Sequence, residues 1–237
     1  MRSLRILIAA LAIIAATVTS NAQTADEIIA KHIEAIGGKD AWKKINSLSF
    51  DGVLNVQGNE VEISFVQLHG KGMRQDISVQ GMSGYQIVTP THGWTFLPFQ
   101  GESEVIAMSE EEVKLAQGEL DVQGPLLDYR EKGHAIELAG TETIGGTECY
   151  KLVVTLKSGK KATMFIDSKS YFTVRTNISQ KVNGQEQDVE TNYGGFEKIP
   201  EGVVMARSMT LPYGTMTVSK IEVNKPVDES IFKPAAK

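Results

Sequence analysis

Few side chains in this sequence have both the type and the spacing that catalysis requires. The four histidines, His32, His69, His92 and His134, include no pair at metal-ligand spacing and no His-Glu-x-x-His run. His92 precedes Gly93 in a turn-like stretch, which makes it a loop residue rather than a base. Cys149 is the only cysteine and lies in a strand-like stretch between Glu148 and Tyr150. With no histidine near it in sequence it reads as a buried, inert thiol, and a single cysteine excludes an internal disulfide. The run Glu110-Glu111-Glu112 follows Ser109, the pattern of a capped helix start in which the carboxylates answer the helix dipole. Asp167 stands at a turn, where carboxylates are solvated. Gly145-Gly146 fits a hairpin rather than a phosphate loop, and no Gly-x-Ser-x-Gly elbow occurs. These residues point away from an enzyme, and neither a metal nor another cofactor is expected.

The apolar side chains carry more information. Residues 93–101 read GWTFLPFQG, placing Trp94, Phe96, Leu97 and Phe99 where Pro98 must end a strand. Met82, Tyr85 and Ile87 are close in sequence, and close in space if 85–90 pairs with 94–99. Such bulk is either packed core or the wall of a cavity for an apolar ligand.

The elements that must position these groups follow from the patterning. Residues 1–22 carry Arg2 and Arg5, an apolar run from Ile6 to Val18, and Ser20-Asn21-Ala22 as a cleavage site: a secretory leader. That run is short for a bilayer span, and no lipid-anchoring cysteine follows it, so a soluble exported chain beginning at Gln23 is expected. Cleavage would leave 215 residues and, with Arg2 and Arg5 gone, take the net charge from −5 to −7. An acidic chain without a basic stripe is a poor partner for nucleic acid or for an anionic membrane surface.

After the leader, Thr24 as cap, Asp26 and Glu27 in the first turn, and Ile28, Ile29, His32, Ile33 and Ile36 at helical spacing predict a helix ended by Gly37-Gly38. Asp40 would cap a short turn carrying Trp42 and Ile45. The period then becomes two, predicting strands over 47–56, 62–68, 73–79, 85–90 and 94–99. A helical insertion follows, with Val113, Leu115 and Ala116 as a thin apolar face and a second helical piece around Leu126, Leu127 and Tyr129. Strands resume over 135–144, 147–157, 160–167, 171–182, 185–193, 203–210 and 213–224, with Asn183-Gly184 as the strongest hairpin signal. About eleven antiparallel strands in one domain, 23–237, must curl, close or split. The expected fold is therefore mainly β: a curled sheet forming an incomplete barrel, its concave face covered by the N-terminal helix and the insertion.

The leader and first helix, the phrase YQIVTPTHGWTFLPFQ (85–100), the insertion helix and the ending PVDESIFKP (226–234) resemble the LolA-like periplasmic carriers of lipoproteins. The stretch from about 147 to 210 is similar to outer-membrane lipoprotein-sorting proteins. The resemblance implies a periplasmic chaperone-like carrier, monomeric, whose apolar cavity holds lipoprotein acyl chains between an inner-membrane donor and an outer-membrane acceptor. The lining or rim would be drawn from Phe50, Phe65, Met82, Tyr85, Trp94, Phe96, Leu97, Phe99, Val113 and Leu126. One departure stands out. The family's better-known members carry a functional arginine in a basic-Pro turn, whereas this turn reads His69-Gly70-Lys71-Gly72, with Arg74 beyond it and no proline. Two alternatives remain open: a lipid- or lipoprotein-sensing module of the same fold in envelope-stress signalling, and an envelope scaffold with a filled core.

Overall fold

The computed structural model describes residues 23–182 and 185–234. The expected leader, 1–22, and the expected Asn183-Gly184 turn lie outside the described residues.

Helix α1 (Ala25–Ala35) opens with a reciprocal cap: the Thr24 hydroxyl accepts the Glu27 N–H, and the Glu27 carboxylate accepts the Thr24 N–H at 2.8 Å. It buries Ile28, Ile29 and His32. Helix α2 (Lys39–Trp42) starts at Gly38 with no side-chain cap, and Asp40, the expected cap, lies inside its first turn. Helix α3 (Glu110–Ala116) begins at the expected Ser109–Glu112 box and runs into a 3-10 turn, Gln117–Leu120. No second helical piece forms around Leu126 and Tyr129. Gly124 and Asp128 adopt φ of +76° and +50°, and Pro125 offers no N–H, so the chain turns instead.

Among the described residues the strands are β1 (Ser47–Val56), β2 (Asn59–Leu68), β3 (Gly72–Val79), β4 (Met82–Val88), β5 (Gly93–Phe96) and β6 (Ile106–Ala107), then, after the insertion, β7 (Ala135–Ile144), β8 (Thr147–Thr155), β9 (Lys161–Asp167), β10 (Thr173–Val182), β11 (Gln185–Gly194), β12 (Glu197–Lys198), β13 (Val204–Met205), β14 (Ser208–Leu211) and β15 (Gly214–Val223). The count exceeds the twelve expected ranges by three because β6, β12 and β13 are two residues long, too short to alternate. The expected strand 203–210 divides into β13 and β14. Strand β5 stops at Phe96, and Pro98 opens a 3-10 turn, Pro98–Gln100.

Thirteen strands form one sheet in the order β6-β5-β4-β3-β2-β1-β15-β14-β11-β10-β9-β8-β7, while β12 and β13 pair apart from it. Two meanders thus meet at β1 and β15, and edges β6 and β7 do not pair with each other. The sheet is an unclosed barrel, and residues 108–134 cross from one edge to the other.

The helices cover one face, here called inner. Ile28 and Ile29 pack with Leu126 on Leu152, Val154, Met164 and Ile166. Trp42 and Ile45 join Val122, Leu127, Val203 and Val223. Ala116 and Leu120 pack on Met73 and Val88. His32 is 7% exposed, and its Nδ1 lies 2.8 Å from the Tyr171 carbonyl oxygen, which ties α1 to the turn after β9.

The outer face carries the C-terminal segment, which ends in a 3-10 turn, Glu229–Phe232. Phe232 is 3% exposed, and only a glycine at position 72 leaves room for it, since a Cβ there would sit 2.6 Å from its ring. Arg74 holds the same segment by donating to the Ile231 carbonyl at 3.1 Å.

Phe232→Ala should therefore destabilise the protein by about 3 kcal/mol, the usual scale for emptying a buried aromatic site. Gly72→Ala should act in the same direction, both read as a lower chemical-denaturation midpoint. The pH dependence follows from His32 and His134. Burial holds the His32 pKa below its ordinary value despite the Tyr171 carbonyl, and burial followed by Lys132 does the same to His134. A depressed histidine contributes stability that is complete above the unfolded pKa of about 6.5 and is lost as pH falls towards the folded value. Stability should thus decline as pH drops below about 6.5, and His32→Gln should flatten that decline in melting curves recorded across the window.

Candidate functional site

Residues directly opposite each other in antiparallel strands share a face, so the register maps the inner surface row by row. Val223, Leu48, Gln67, Met73, Val88 and Gly93 form the first row, beneath the insertion. The second row is Ile221, Phe50, Phe65, Gln75, Gln86 and Thr95. Val218, Gly52, Ile63, Ile77 and Gly84 make the third. At the hairpin-tip end run Met209, Met216, Leu54, Val61, Val79 and Met82. No Lys, Arg, Asp or Glu occupies any of these positions.

The last two rows differ from the first in what covers them. Leu54, Ile63, Met216 and Val218 are 5–7% exposed, yet they cluster with strand residues alone, including Phe50, Val56, Val61, Met209 and Ile221. They form an apolar trough shielded by the curl of the sheet rather than by a helix. Phe50 and Phe65 stack in it with ring centres 4.9 Å apart, and Met82, 44% exposed, stands at its open end.

The expected lining residues divide. Phe50, Phe65 and Met82 stand on the inner face. Val113 and Leu126 belong to the insertion itself and are buried where it packs. Leu97 and Phe99 fold over the inner face at Gly84, where a Cβ would lie 3.0 Å from the Phe99 ring and 3.2 Å from the Leu97 Cα. The expected pairing of 85–90 with 94–99 is present as β4 with β5, but strand alternation turns Tyr85, Trp94 and Phe96 to the outer face. There Tyr85 tilts against Phe96 at 5.8 Å and takes the Arg74 guanidinium over its ring at 4.8 Å, while Trp94 stacks on His92. Arg74 is bound to Asp76, which raises its pKa, and its role is to anchor the C-terminal segment.

Six inner residues were missed in the sequence: Leu54, Val61, Ile63, Met209, Met216 and Val218. Alternation within 47–56 and 213–224 marks several of them as inward-facing. Their assembly depends on the pairing of β1 with β15, which joins opposite ends of the chain.

Groups with reactive potential stay dispersed. Cys149 is fully buried, and burial followed by Asp167 raises its thiol pKa. Among the described residues no group of three His, Cys, Asp or Glu is placed to hold a metal ion.

Beneath the insertion lies a pocket of about 170 Å³ bounded by His32, Ile33, Trp42, Leu126, Leu127 and Met164. It is below the roughly 300–1,000 Å³ usual for small-molecule sites. The segment over it is clasped by charges. Asp128 meets Lys39 and Lys43, Asp26 accepts from Tyr129 at 2.6 Å and Arg130 at 2.7 Å, and Gln67 donates to the Glu119 carbonyl at 2.6 Å. These partners hold the Asp26 and Asp128 carboxyls below the ordinary carboxylate range.

No family model and no curated protein matches the chain. Solved structures do. A LolA-superfamily protein from Nitrosomonas europaea superposes with a TM-score of 0.56 at 14% identity, covering 90% of this chain and 99% of its own. A DUF1329-family protein from Desulfovibrio piger gives 0.55 at 16% identity, covering 88% and 96%. A putative outer-membrane lipoprotein-sorting protein domain from Vibrio parahaemolyticus gives 0.51 at 14%, covering 87% and 94%. With one unclosed antiparallel sheet whose inner face is covered by a first helix and an insertion between its edges, the chain has the LolA-like fold.

Proposed function

We propose that this protein is a periplasmic carrier that shields acyl chains, those of a lipoprotein or another lipid, during transfer towards the outer membrane. The observation that carries the reading is the trough: an uncharged apolar surface inside the sheet, closed over by strands in this structure, with Met82 exposed at its edge. Each methylene removed from water is worth about 0.8 kcal/mol, so a chain of about fifteen costs on the order of 12 kcal/mol to leave exposed. A carrier must cover that surface and still release it. The description of the Vibrio parahaemolyticus domain as lipoprotein-sorting supports the same direction. Export by the 1–22 leader, a single domain and a monomeric carrier passing cargo from an inner-membrane donor to an outer-membrane acceptor complete the proposal.

The trough is closed and the pocket beneath the insertion is too small for an acyl chain, so in this proposal loading requires residues 97–134 to move outward from the sheet. The clasps that hold the insertion are surface ion pairs, worth about 0–1 kcal/mol each. Opening also uncovers Val113, Ala116, Leu120, Val122, Leu126 and Leu127, so the burial that an entering chain provides has to replace theirs.

Two outcomes are expected. An environment-sensitive fatty-acyl probe should bind saturably to the mature protein, and Phe65→Glu should weaken it at least about tenfold by placing a charge in the trough. Phe96→Glu, on the outer face, should leave affinity within about twofold, because a half-buried side chain on the opposite face of the sheet does not touch the trough. A well-folded sample with no saturable binding would sink the carrier reading. In hydrogen exchange, amides of 109–131 should exchange faster than those of the central strands in the free protein and slow when the probe is bound. Identical protection with and without probe would remove the moving insertion from the proposal.

A further inference from the structure

On the inner face, three neighbouring strands each place one hydrogen-bonding side chain in the same cross-strand row. Gln75 of β3 lies opposite Gln86 of β4, which lies opposite Thr95 of β5, and Gln75 lies opposite Phe65 of β2 on its other side. Directly opposite side chains in such pairs stand about 5 Å apart at Cβ, so the three form one continuous strip. It is set among apolar groups: Met73 and Val88 on the insertion side, Ile77 towards the trough, and the Phe50–Phe65 stack at its end.

All three side chains are half-buried. Among the described residues none of them has a side-chain hydrogen-bond partner, whereas Gln67, one row away, is used to hold the insertion through the Glu119 carbonyl. Their polar atoms still reach water, but each half-buried group gives up part of its hydration with no protein partner in return, and three side by side repeat that cost. Leucine or valine at these positions would avoid it and would suit an inner face meant only to hold hydrocarbon.

Building on the carrier reading, we infer that Gln75, Gln86 and Thr95 form a subsite for the carbonyl that joins an acyl chain to the rest of its lipid, an ester or an amide. The two amides and the hydroxyl supply donors, and a carbonyl oxygen is an acceptor that carries no charge. The inner rows contain no cation, so a free carboxylate or a phosphate would enter without a counter-charge and keep its full desolvation cost. Neutral linkages are therefore preferred over ionised headgroups. The strip lies between the insertion-covered row and the trough, so a chain running along the trough would end with its linkage at the strip and its headgroup near the mobile insertion.

The test is displacement of a bound fatty-acyl probe at pH 8 by three competitors of matched length: methyl hexadecanoate, hexadecanoate and heptadecane. The methyl ester should compete about fivefold better than the alkane, the scale of one net hydrogen bond, and better than the ionised acid. In Gln75→Leu/Gln86→Leu the ester and the alkane should become equal while probe binding itself persists. Thr95→Val should reduce the ester preference in part, and it provides the same readout should the leucine pair fail to fold. If ester and alkane already compete equally in the wild type, or if the ester preference survives in the variants, the subsite is overturned and the carrier reading stands. If no probe binds at all, both fall.

Discussion

The pairing of β1 with β15 is the contact on which the rest of the molecule depends. It joins residues 47–56 to residues 214–223 and turns two separate meanders into one sheet of thirteen strands. Each meander alone would present an apolar face with little to cover it. Joined, they curl, and the inner rows of one come to shield those of the other. The register slips once, between Asp51 and Gly52, and a bulge of this kind increases local twist at the middle of the sheet. Leu54, Ile63, Met216 and Val218, the four buried residues of the trough, come from both meanders and meet only through this pairing.

Because the sheet is curled but not closed, something must bridge β6 and β7. The insertion does so, and its attachments are of two kinds. Six of its apolar residues, Val113, Ala116, Leu120, Val122, Leu126 and Leu127, are buried. Its remaining ties are polar: Tyr129 and Arg130 on Asp26 and Asp128 on Lys39 and Lys43 at the surface, and the Glu119 carbonyl on the buried Gln67 amide. The surface ion pairs contribute little, so the six buried side chains supply most of what holds the insertion against the sheet. Helix α1 is likewise fixed by Ile28 and Ile29, which share a buried cluster with Leu126 of the insertion, and by His32 on the Tyr171 carbonyl.

Much of this organisation was legible in the residues. Both capped helices start where Thr24 with Glu27 and Ser109 with Glu112 require, since a capping box is a local reciprocal bond that needs no tertiary partner. The long strands follow two-residue alternation for a similarly local reason. Failures occurred where local signals were too short or pointed the wrong way. Two-residue strands have no period to read. Leu126, Leu127 and Tyr129 looked helical but follow Gly124-Pro125 and flank a left-handed Asp128. The aromatic run after Gly93 looked like one surface, yet Trp94 and Phe96 share the outer face while Leu97 and Phe99 turn inward past the end of β5.

The sequence by itself determined which residues are apolar at alternate positions, where helices begin, and that an insertion interrupts a long antiparallel array. It also determined that reactive side chains are scattered. What only the tertiary structure decided is which alternating set faces inward, and which residues of distant strands stand side by side. Hydrophobic alternation specifies two faces but not their assignment when both carry apolar groups, as β4 does with Ile87 outward and Val88 inward, both fully buried. The C-terminal segment resolves the ambiguity physically. By laying Phe232 against Gly72 on the outer face, it gives that side of the sheet an apolar cover of its own and leaves the inner side for the helices and the trough.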